Sequence, residues 1–155
     1  MIRRKKYLFN KGVRRDSVPV IPVRVSGDKQ IYLAVIDTGS EISIIDSNYV
    51  NIIDDNVKMH IENDKDVSIQ GATGHPNDTT KRCVGSVEIQ DVDGHWNTHT
   101  VDCIALDMEP LQEGFRSMHC KSRVIILLGI DWLHEREAKI DVKRKMLTAN
   151  TITNE

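Results

Sequence analysis

The sequence contains little of what marks several common classes of protein. Aromatic residues make up 5% of its 155 residues, and no run of about 18 apolar residues occurs, although a membrane-spanning helix needs one. We therefore expect no membrane partner. Long stretches with apolar residues at helical spacing are also missing, whereas valine and isoleucine are plentiful. Because β-branched residues favour strands, this composition predicts one all-β domain with a core built from the 39% of apolar residues.

Cysteine is scarce as well, with Cys83, Cys103 and Cys120 as its three examples. An odd number without regular spacing offers no disulfide framework and favours reduced thiols in an intracellular setting. The first residues are basic, but no apolar segment follows them, so we do not expect a secretory signal.

A metal site is the next possibility that the sequence argues against. His119 and Cys120 are adjacent, and His95, His99 and Cys103 lie upstream. Structural zinc ligands usually occur in pairs at short, fixed spacing, and here the spacing is irregular. We expect no metal and no organic cofactor.

The charges are unevenly distributed along the chain. Residues 1–16 carry seven basic side chains and one acidic one; of 21 basic and 23 acidic residues in total, this leaves 14 and 22 for the remainder. A basic segment before an acidic domain has two interpretations. Residues 3–15 contact nucleic acid or another acidic surface, or the segment 1–16 is a solvated arm or linker. We favour the arm, because no aromatic platform or recognition helix accompanies the basic residues.

The most informative stretch is residues 31–45, IYLAVIDTGSEISII. An apolar run leads to Asp37, breaks at Gly39 and then resumes, which predicts a strand, a tight loop and a second strand. An ionised carboxylate resists burial, so an aspartate at the end of a buried strand has to be held or used. The hydroxyls and backbone N–H groups of Thr38, Gly39 and Ser40 are suited to hold it.

This loop resembles the active-site loop of aspartic proteases, most closely the short retropepsin-like proteases of retroviruses and retrotransposons. A second match lies at residues 125–133, IILLGIDWL, where that family has a strand ending in glycine that passes behind the loop and enters a short helix. The resemblance implies an all-β, retropepsin-like acid protease β-barrel protomer with a flap hairpin and one short C-terminal helix. Its domain would cover residues 17–150, followed by a tail, 151–155.

The resemblance also implies roles for individual residues. Asp37, Thr38 and Gly39 would be the catalytic loop, with Thr38 reaching the loop of a partner and Gly39 leaving room for substrate. Leu128 and Gly129 would support the loop from behind.

Substrate-binding residues follow from the same resemblance. Ser40 and Glu41 would contact substrate, and the Ser40 hydroxyl would bond the outer oxygen of Asp37. The predicted flap residues are Gln70, Gly71, Ala72, Thr73 and Gly74. Retroviral members have an arginine where this chain has Ile130, so the resemblance does not extend to the dimer salt bridges of that family.

The number of catalytic aspartates predicts the assembly. Aspartic protease chemistry needs two facing aspartates, one ionised to activate water and one protonated to polarise the carbonyl. The chain has a single Asp-Thr-Gly sequence, so the resemblance implies a homodimer with Asp37 of each subunit on the two-fold axis. The predicted function is an aspartic endopeptidase that processes a retroelement polyprotein, in the cytoplasm or within a virus-like particle.

Two alternatives remain at this level. The chain could be a domesticated, catalytically silent retropepsin-like module for peptide binding or dimerisation. It could also be a cellular protease of the ubiquitin-shuttle type, although the ubiquitin-like domain that normally accompanies that type does not fit within this length.

Local patterns add expectations about secondary structure. Residues 46–48 are expected to form a helix cap or a turn, followed by a short helical turn or a loop over 49–55. Asp131 is expected to cap a helix over 132–137. The remaining expectations are a hairpin from 18–25 and 30–36, a long loop over 107–122, and a final hairpin from 138–142 and 145–149.

Overall fold

A computed structural model describes residues 2–9, 19–64, 80–116 and 123–152, which form ten strands and three short helices. The strands are β1 (Ile2–Leu8), β2 (Val20–Val25), β3 (Tyr32–Ile36), β4 (Ile44–Asp46), β5 (Met59–Asp64), β6 (Thr80–Gln90), β7 (Trp96–Leu106), β8 (Val124–Leu128), β9 (Lys139–Asp141) and β10 (Met146–Ile152). The helices are α1 (Ser47–Ile52), α2 (Glu109–Arg116) and α3 (Ile130–Glu135). No helix in these ranges is long and apolar enough to cross a membrane.

Seven strands form one sheet, in the order β2, β3, β8, β4, β7, β6, β5. Strand β2 pairs with β6 as well as with β3, so six of the strands close into a barrel and β5 extends it as the outer arm of a hairpin. Most pairs are antiparallel, but β3 runs parallel to β8, and β4 runs parallel to β7. The predicted all-β barrel is therefore confirmed.

Strand β3 explains the long apolar run in the sequence, because it is buried on both faces. Tyr32, Ala34 and Ile36 belong to the main core inside the barrel. The alternate residues Leu33 and Val35 face a smaller apolar cluster that includes residues of β2, β8 and the start of α2. A strand enclosed in this way holds the residue that follows it, the predicted catalytic aspartate, in a fixed position.

The predicted solvated arm is wrong for the residues that can be described. Strand β1 pairs with β10 along seven residues, from Ile2 opposite Ile152 to Leu8 opposite Met146. Tyr7 is fully buried, and its hydroxyl lies 2.7 Å from Nε2 of His99. Residues 2–8 therefore belong to the folded domain, and β10 extends the predicted domain to residue 152. Residues 10–18 lie outside the described part of the chain.

A long loop over residues 107–122 is also wrong in part, because α2 occupies Glu109–Arg116. Pro110 lies in the first turn, where a helix needs no N–H group, so it does not break the helix. The carboxylate of Asp107 accepts a hydrogen bond from the Glu109 N–H at 2.9 Å. Gln112 then ties the helix to the barrel, because its buried amide bonds both the N–H and the carbonyl of Val124.

Other local expectations are confirmed, with one exception. Strands β2 and β3 form the expected hairpin, as do β9 and β10. Asp46 caps α1 and accepts a hydrogen bond from the Asn48 N–H. Helix α3, however, begins at Ile130, its cap position is Gly129, and Asp131 lies inside the first turn rather than at the cap.

A buried ion pair joins the barrel to both α1 and α2. The side chain of Asp46 is fully buried and lies 2.8 Å from a guanidinium nitrogen of Arg123, which also contacts Glu109 at 3.0 Å. The Asp46 carboxylate accepts a further hydrogen bond from the Met108 N–H at 3.2 Å. Its hydrogen bonds and its cationic partner together compensate the cost of burying the charge.

Candidate active site

The loop that carries Asp37 crosses the end of a neighbouring strand. It connects β3 to β4, and β8 lies between those two strands in the sheet. The Asp37 N–H donates to the carbonyl of Leu128, the last residue of β8, at 3.0 Å. The last residue of β8 is therefore hydrogen-bonded to the beginning of the loop.

Gly129 lies directly beneath the loop. A Cβ atom at this position would be 2.5 Å from the carbonyl oxygen of Ile42 and 2.7 Å from that of Ser40, closer than real Cβ contacts allow. The next two N–H groups bond the loop, since Ile130 donates to the Ser40 carbonyl at 2.8 Å and Asp131 donates to the Glu41 carbonyl at 3.3 Å. Only glycine allows β8 and α3 to approach the loop this closely.

Ser43 and Asp131 add a side-chain connection that the sequence did not reveal. The Ser43 hydroxyl donates to Asp131 Oδ1 at 2.7 Å, and the Ser43 N–H donates to Oδ2 at 3.1 Å. The same hydroxyl oxygen accepts a hydrogen bond from the buried N–H of Gly129 at 3.0 Å. The available sequence signal was a serine within the apolar run 42–45, which marks a polar group that needs a buried partner.

The outer side of the loop is open. The Gly39 N–H donates to Oδ1 of Asp37 at 2.8 Å, which fixes the orientation of the carboxylate. Asp37 is partly exposed, and Thr38 and Gly39 are exposed. The loop therefore presents one oriented carboxylate at the surface, next to two residues that no other part of the described chain covers.

The Ser40 hydroxyl does not make the contact expected of it. It donates to the carbonyl of Ile42 at 2.7 Å, and the link from Ser40 to Asp37 is between backbone groups, N–H to carbonyl at 3.3 Å. The turn brings the Ile42 carbonyl within reach, and a hydroxyl has one proton to donate. Glu41 is exposed beside it.

The predicted flap residues, Gln70, Gly71, Ala72, Thr73 and Gly74, lie outside the described residues. The two arms that lead to this segment are described, because β5 and β6 pair antiparallel as far as Asp64 opposite Thr80. The assignment of residues 70–74 to a flap therefore stays a prediction.

Burial shifts the pKa of three side chains of types that can act as nucleophiles or metal ligands. Cys83 and Cys103 are neighbours across β6 and β7, and both are buried. Burial raises the pKa of Cys83 to about 11 and also raises that of Cys103, so both thiols stay protonated at neutral pH. Burial and the nearby Arg136 lower the pKa of His99 to about 4. The described ranges contain no group of three possible metal ligands.

Comparisons with known proteins found similarity to solved structures, but none to a protein family or a curated protein sequence. Among solved structures, the retroviral protease-like domain of Ddi1 from Leishmania major matches with a TM-score of 0.46 and 15% identity, over 90% of each chain. A retropepsin-like aspartic protease from Rickettsia conorii matches with a TM-score of 0.49 and 14% identity, over 97% of this chain and 93% of that one.

The geometry itself carries the fold assignment. A barrel strand ends at an aspartate loop, a second strand passes behind that loop, and a glycine beneath the loop leads into a short helix. This is the arrangement that the sequence resemblance implies, and the fold is retropepsin-like.

Proposed function

We propose that this chain is an aspartic endopeptidase whose active site forms between two copies of the chain. The observation that carries the proposal is the Asp37 carboxylate, which is oriented by the Gly39 N–H and presented at the open side of a loop that β8 and α3 hold in place. A carboxylate in a fixed position at the surface is half of the dyad that this chemistry requires.

The second carboxylate has to come from a partner. The sequence contains one Asp-Thr-Gly, and Asp131, the acidic residue beneath the loop, is occupied by its hydrogen bonds to Ser43. A two-fold axis beside the loop would place two Asp37 carboxylates together and would bury Thr38 of each subunit against the other loop. An isologous dimer is the commonest assembly among soluble proteins.

The reaction follows from the paired carboxylates. Two carboxylates about 3 Å apart cannot both be ionised, as is known of aspartic proteases, so the pair holds one proton. The ionised Asp37 takes a proton from water as the water oxygen attacks the peptide carbonyl carbon, and the other Asp37 gives its proton to the carbonyl oxygen. The Asp37 that took up the water proton then gives it to the amide nitrogen. As the C–N bond breaks, a hydroxyl of the gem-diol returns its proton to the other Asp37, which leaves a carboxylic acid product and regenerates the pair with one proton.

The substrate that we propose is an extended, mainly apolar segment of a polypeptide, such as the polyprotein of a retroelement. Gly39 lacks a side chain at the open side of the loop, which leaves room for a substrate backbone, and Ser40 and Glu41 lie next to it. The segment containing Gln70–Gly74 would close over the bound peptide, with its glycines allowing close approach.

A cleavage assay tests the proposal. The wild-type protein and Asp37→Asn are incubated with a peptide library between pH 4 and 7, with and without pepstatin, and each sample is sized by analytical ultracentrifugation. We expect pepstatin-sensitive cleavage by a dimer and none by Asp37→Asn. Asp55→Asn, at an exposed position away from the loop, is the matched control and should retain activity.

A tethered dimer makes a negative result informative. Two copies are joined by a flexible linker, which raises the effective concentration of each for the other to the millimolar range. One Asp37→Asn copy in the pair should abolish cleavage as fully as two. A tethered wild-type pair that forms a compact dimer and cleaves nothing would favour the silent binding module.

A further inference from the structure

The three-stranded sheet formed by β1, β10 and β9 is strongly basic. Residues 2–9 and 136–152 contain nine basic side chains and two acidic ones, Glu137 and Asp141. Of the 21 basic and 23 acidic residues in the whole chain, this leaves 12 basic and 21 acidic residues for everything else. Positive charge is therefore concentrated in this sheet and in the segments next to β9 and β10, within an otherwise acidic protein.

The strand register places several of these charges on the outer face of the sheet. Tyr7 and Leu147 are fully buried, so their neighbours along each strand point outwards. Lys6 is opposite Thr148, and Thr148 is opposite Lys139, which gives one row across all three strands. Adjacent strands lie about 4.8 Å apart, so the two lysines of this row start about 10 Å from each other.

This face contains a cleft of about 770 Å³. Lys6, Lys139 and Arg144 contribute basic side chains to its lining, and Asp141 contributes an acidic one. Val142 and Met146 contribute aliphatic side chains to the lining, whereas the side chain of Ile140, which also borders the cleft, packs against the main core. The cleft therefore combines three cations with an apolar surface, and it lies in the terminal sheet rather than at the Asp37 loop.

The two lysines in this cleft are available to a ligand. Within the described ranges, no acidic side chain lies at ion-pair distance from Lys6 or Lys139. Arg144 contacts Asp141 at 3.4 Å, but the Arg144 side chain is largely exposed, and such a pair contributes little. An anionic ligand could thus bind at least two cationic side chains without breaking an existing ion pair.

From this arrangement we propose that the outer face of the terminal sheet binds the sugar–phosphate backbone of a single-stranded nucleic acid. A single strand carries one negative charge on the phosphate of each nucleotide. It is also narrow enough to lie along a cleft, with its bases in contact with the aliphatic side chains. A bilayer surface cannot enter a concave site in this way. The charge density of a single strand also exceeds that of an ordinary acidic peptide. A duplex groove admits a helix or a two-stranded ribbon, whereas this face is a sheet of three strands.

The binding should be electrostatic and independent of base sequence. Aromatic side chains usually supply stacking in single-strand sites, and the lining of this cleft has none. We expect a dissociation constant on the order of 10⁻⁵ M at physiological salt, as for other non-specific complexes. Three neutralised phosphates would make the logarithm of the association constant fall with the logarithm of salt concentration at a slope of about −2.

Fluorescence anisotropy with a labelled oligothymidylate of about 20 nucleotides tests the proposal. The full chain is titrated at about pH 7.5 and at salt concentrations from about 50 to 200 mM. The combined variant Lys6→Gln, Lys139→Gln, Arg144→Gln should lose more than about 10-fold in affinity and show a flatter salt dependence. The control variant Lys29→Gln, Lys58→Gln, Lys81→Gln removes the same charge from exposed positions elsewhere and should bind within about 2-fold of wild type. Circular dichroism verifies that both variants are folded.

Each remaining outcome also decides the question. Asp37→Asn should bind the oligonucleotide as wild type does, because the proposal is independent of catalysis. The proposal is overturned if the wild-type protein does not bind the oligonucleotide at about 50 mM salt. It is also overturned if the combined variant of Lys6, Lys139 and Arg144 binds as tightly as wild type.

Loss of binding only when Lys11, Arg14 and Arg15 are replaced would overturn the proposal as well. Tighter binding to phosphatidylserine vesicles, or full displacement of the oligonucleotide by polyglutamate, would assign the face to a membrane or to an acidic polypeptide instead.

Discussion

Ser43 and Asp131 are joined by two hydrogen bonds, although 88 residues separate them in the sequence. Asp131 also accepts a hydrogen bond from the Trp132 N–H at 2.7 Å, and Ser43 accepts one from the Gly129 N–H. The pair thus fastens the end of the Asp37 loop to the beginning of α3. Since the Asp37 carboxylate has to meet its counterpart within hydrogen-bond distance, a loop fixed at both ends is what the proposed dyad requires.

Replacing Ser43 tests this connection. Ser43→Ala would leave the Gly129 N–H buried without an acceptor and would remove a donor from Asp131, so we expect a loss of about 1–3 kcal/mol in the free energy of unfolding. Cleavage activity should fall as well. Ser43→Thr keeps the hydroxyl and should retain more of both. Urea denaturation measures the stability, and equal stability of Ser43→Ala and wild type would show that the connection contributes nothing.

Gly129→Ala should be more damaging than its small size suggests. The added methyl group would meet the carbonyl oxygens of Ile42 and Ser40, which are backbone atoms and cannot rotate away. We expect a loss of stability of about 1–3 kcal/mol, typical of overpacking, together with loss of cleavage. Ile130→Ala, at the exposed neighbouring residue, is the comparison and should cost less. A lower melting temperature for Ile130→Ala than for Gly129→Ala would contradict the close contact of Gly129 with the loop.

The buried pair of Asp46 and Arg123 gives a third prediction. Arg123→Met would leave the Asp46 carboxylate buried with its N–H donors but without a cation. Breaking a buried pair lowers the free energy of unfolding by about 3–5 kcal/mol. Because the Asn48 and Met108 N–H groups would still bond the Asp46 carboxylate, we expect a loss at or below the lower end of this range. Arg144→Met, which removes an exposed pair with Asp141, should cost less than about 1 kcal/mol. Similar midpoints of urea denaturation for the two variants would contradict this expectation.

His99 should make stability depend on pH. The pKa of His99 is lowered by burial, and by Arg136, from its ordinary 6.5 to about 4. Between these values the unfolded chain binds a proton that the native chain does not, so the contribution of His99 is complete above pH 6.5 and is lost as the pH falls toward 4. The difference corresponds to roughly 3 kcal/mol.

The measurement compares pH profiles rather than single values. Urea denaturation gives the free energy of unfolding of wild type and of His99→Phe from about pH 7 to about pH 4. The two free energies should converge as the pH falls, because phenylalanine does not titrate. Thr100→Ala, at an exposed position near His99 that carries no titrating group, should follow the wild-type curve. Parallel curves for wild type and His99→Phe would refute the assignment. The proposed protease would then lose no stability to His99 in the acidic range where its dyad is expected to work.

Strand β1 provides a fifth prediction, because its two faces differ. Tyr7→Ala removes a fully buried ring and should cost about 3 kcal/mol or more. Lys6→Ala, the next residue on the outer face, should change stability by less than about 0.5 kcal/mol. Equal effects of the two substitutions would indicate that β1 is the solvated arm that its sequence suggests.

The sequence predicted the elements whose signals are local. The Asp37 loop follows from an apolar run interrupted by turn residues, and the β8 segment follows from five apolar residues that end at Gly129. Both matches are short, yet together they were sufficient to predict the barrel and the position of the loop above the glycine. The predicted roles of Thr38, Glu41 and the flap residues remain predictions.

What the sequence could not supply depends on contacts between distant residues. The basic side chains of β1 are typical of a solvated segment, and β1 forms a strand because β10 pairs with it; charged residues are in fact usual on an edge strand. Pro110 suggested a loop, but in the first turn of a helix it does no harm. Gln112 gave no local sign that its amide would bond the backbone of β8.

The pairing of Ile2 with Ile152 has a consequence for how this domain can be carried within a longer chain. These residues lie opposite each other on neighbouring antiparallel strands, so a segment attached before one and a segment attached after the other would leave the fold side by side. A domain with adjacent ends can be inserted between two others without separating them, and it can be excised with little disturbance to either. The terminal sheet thus makes the domain suitable for insertion into a longer chain.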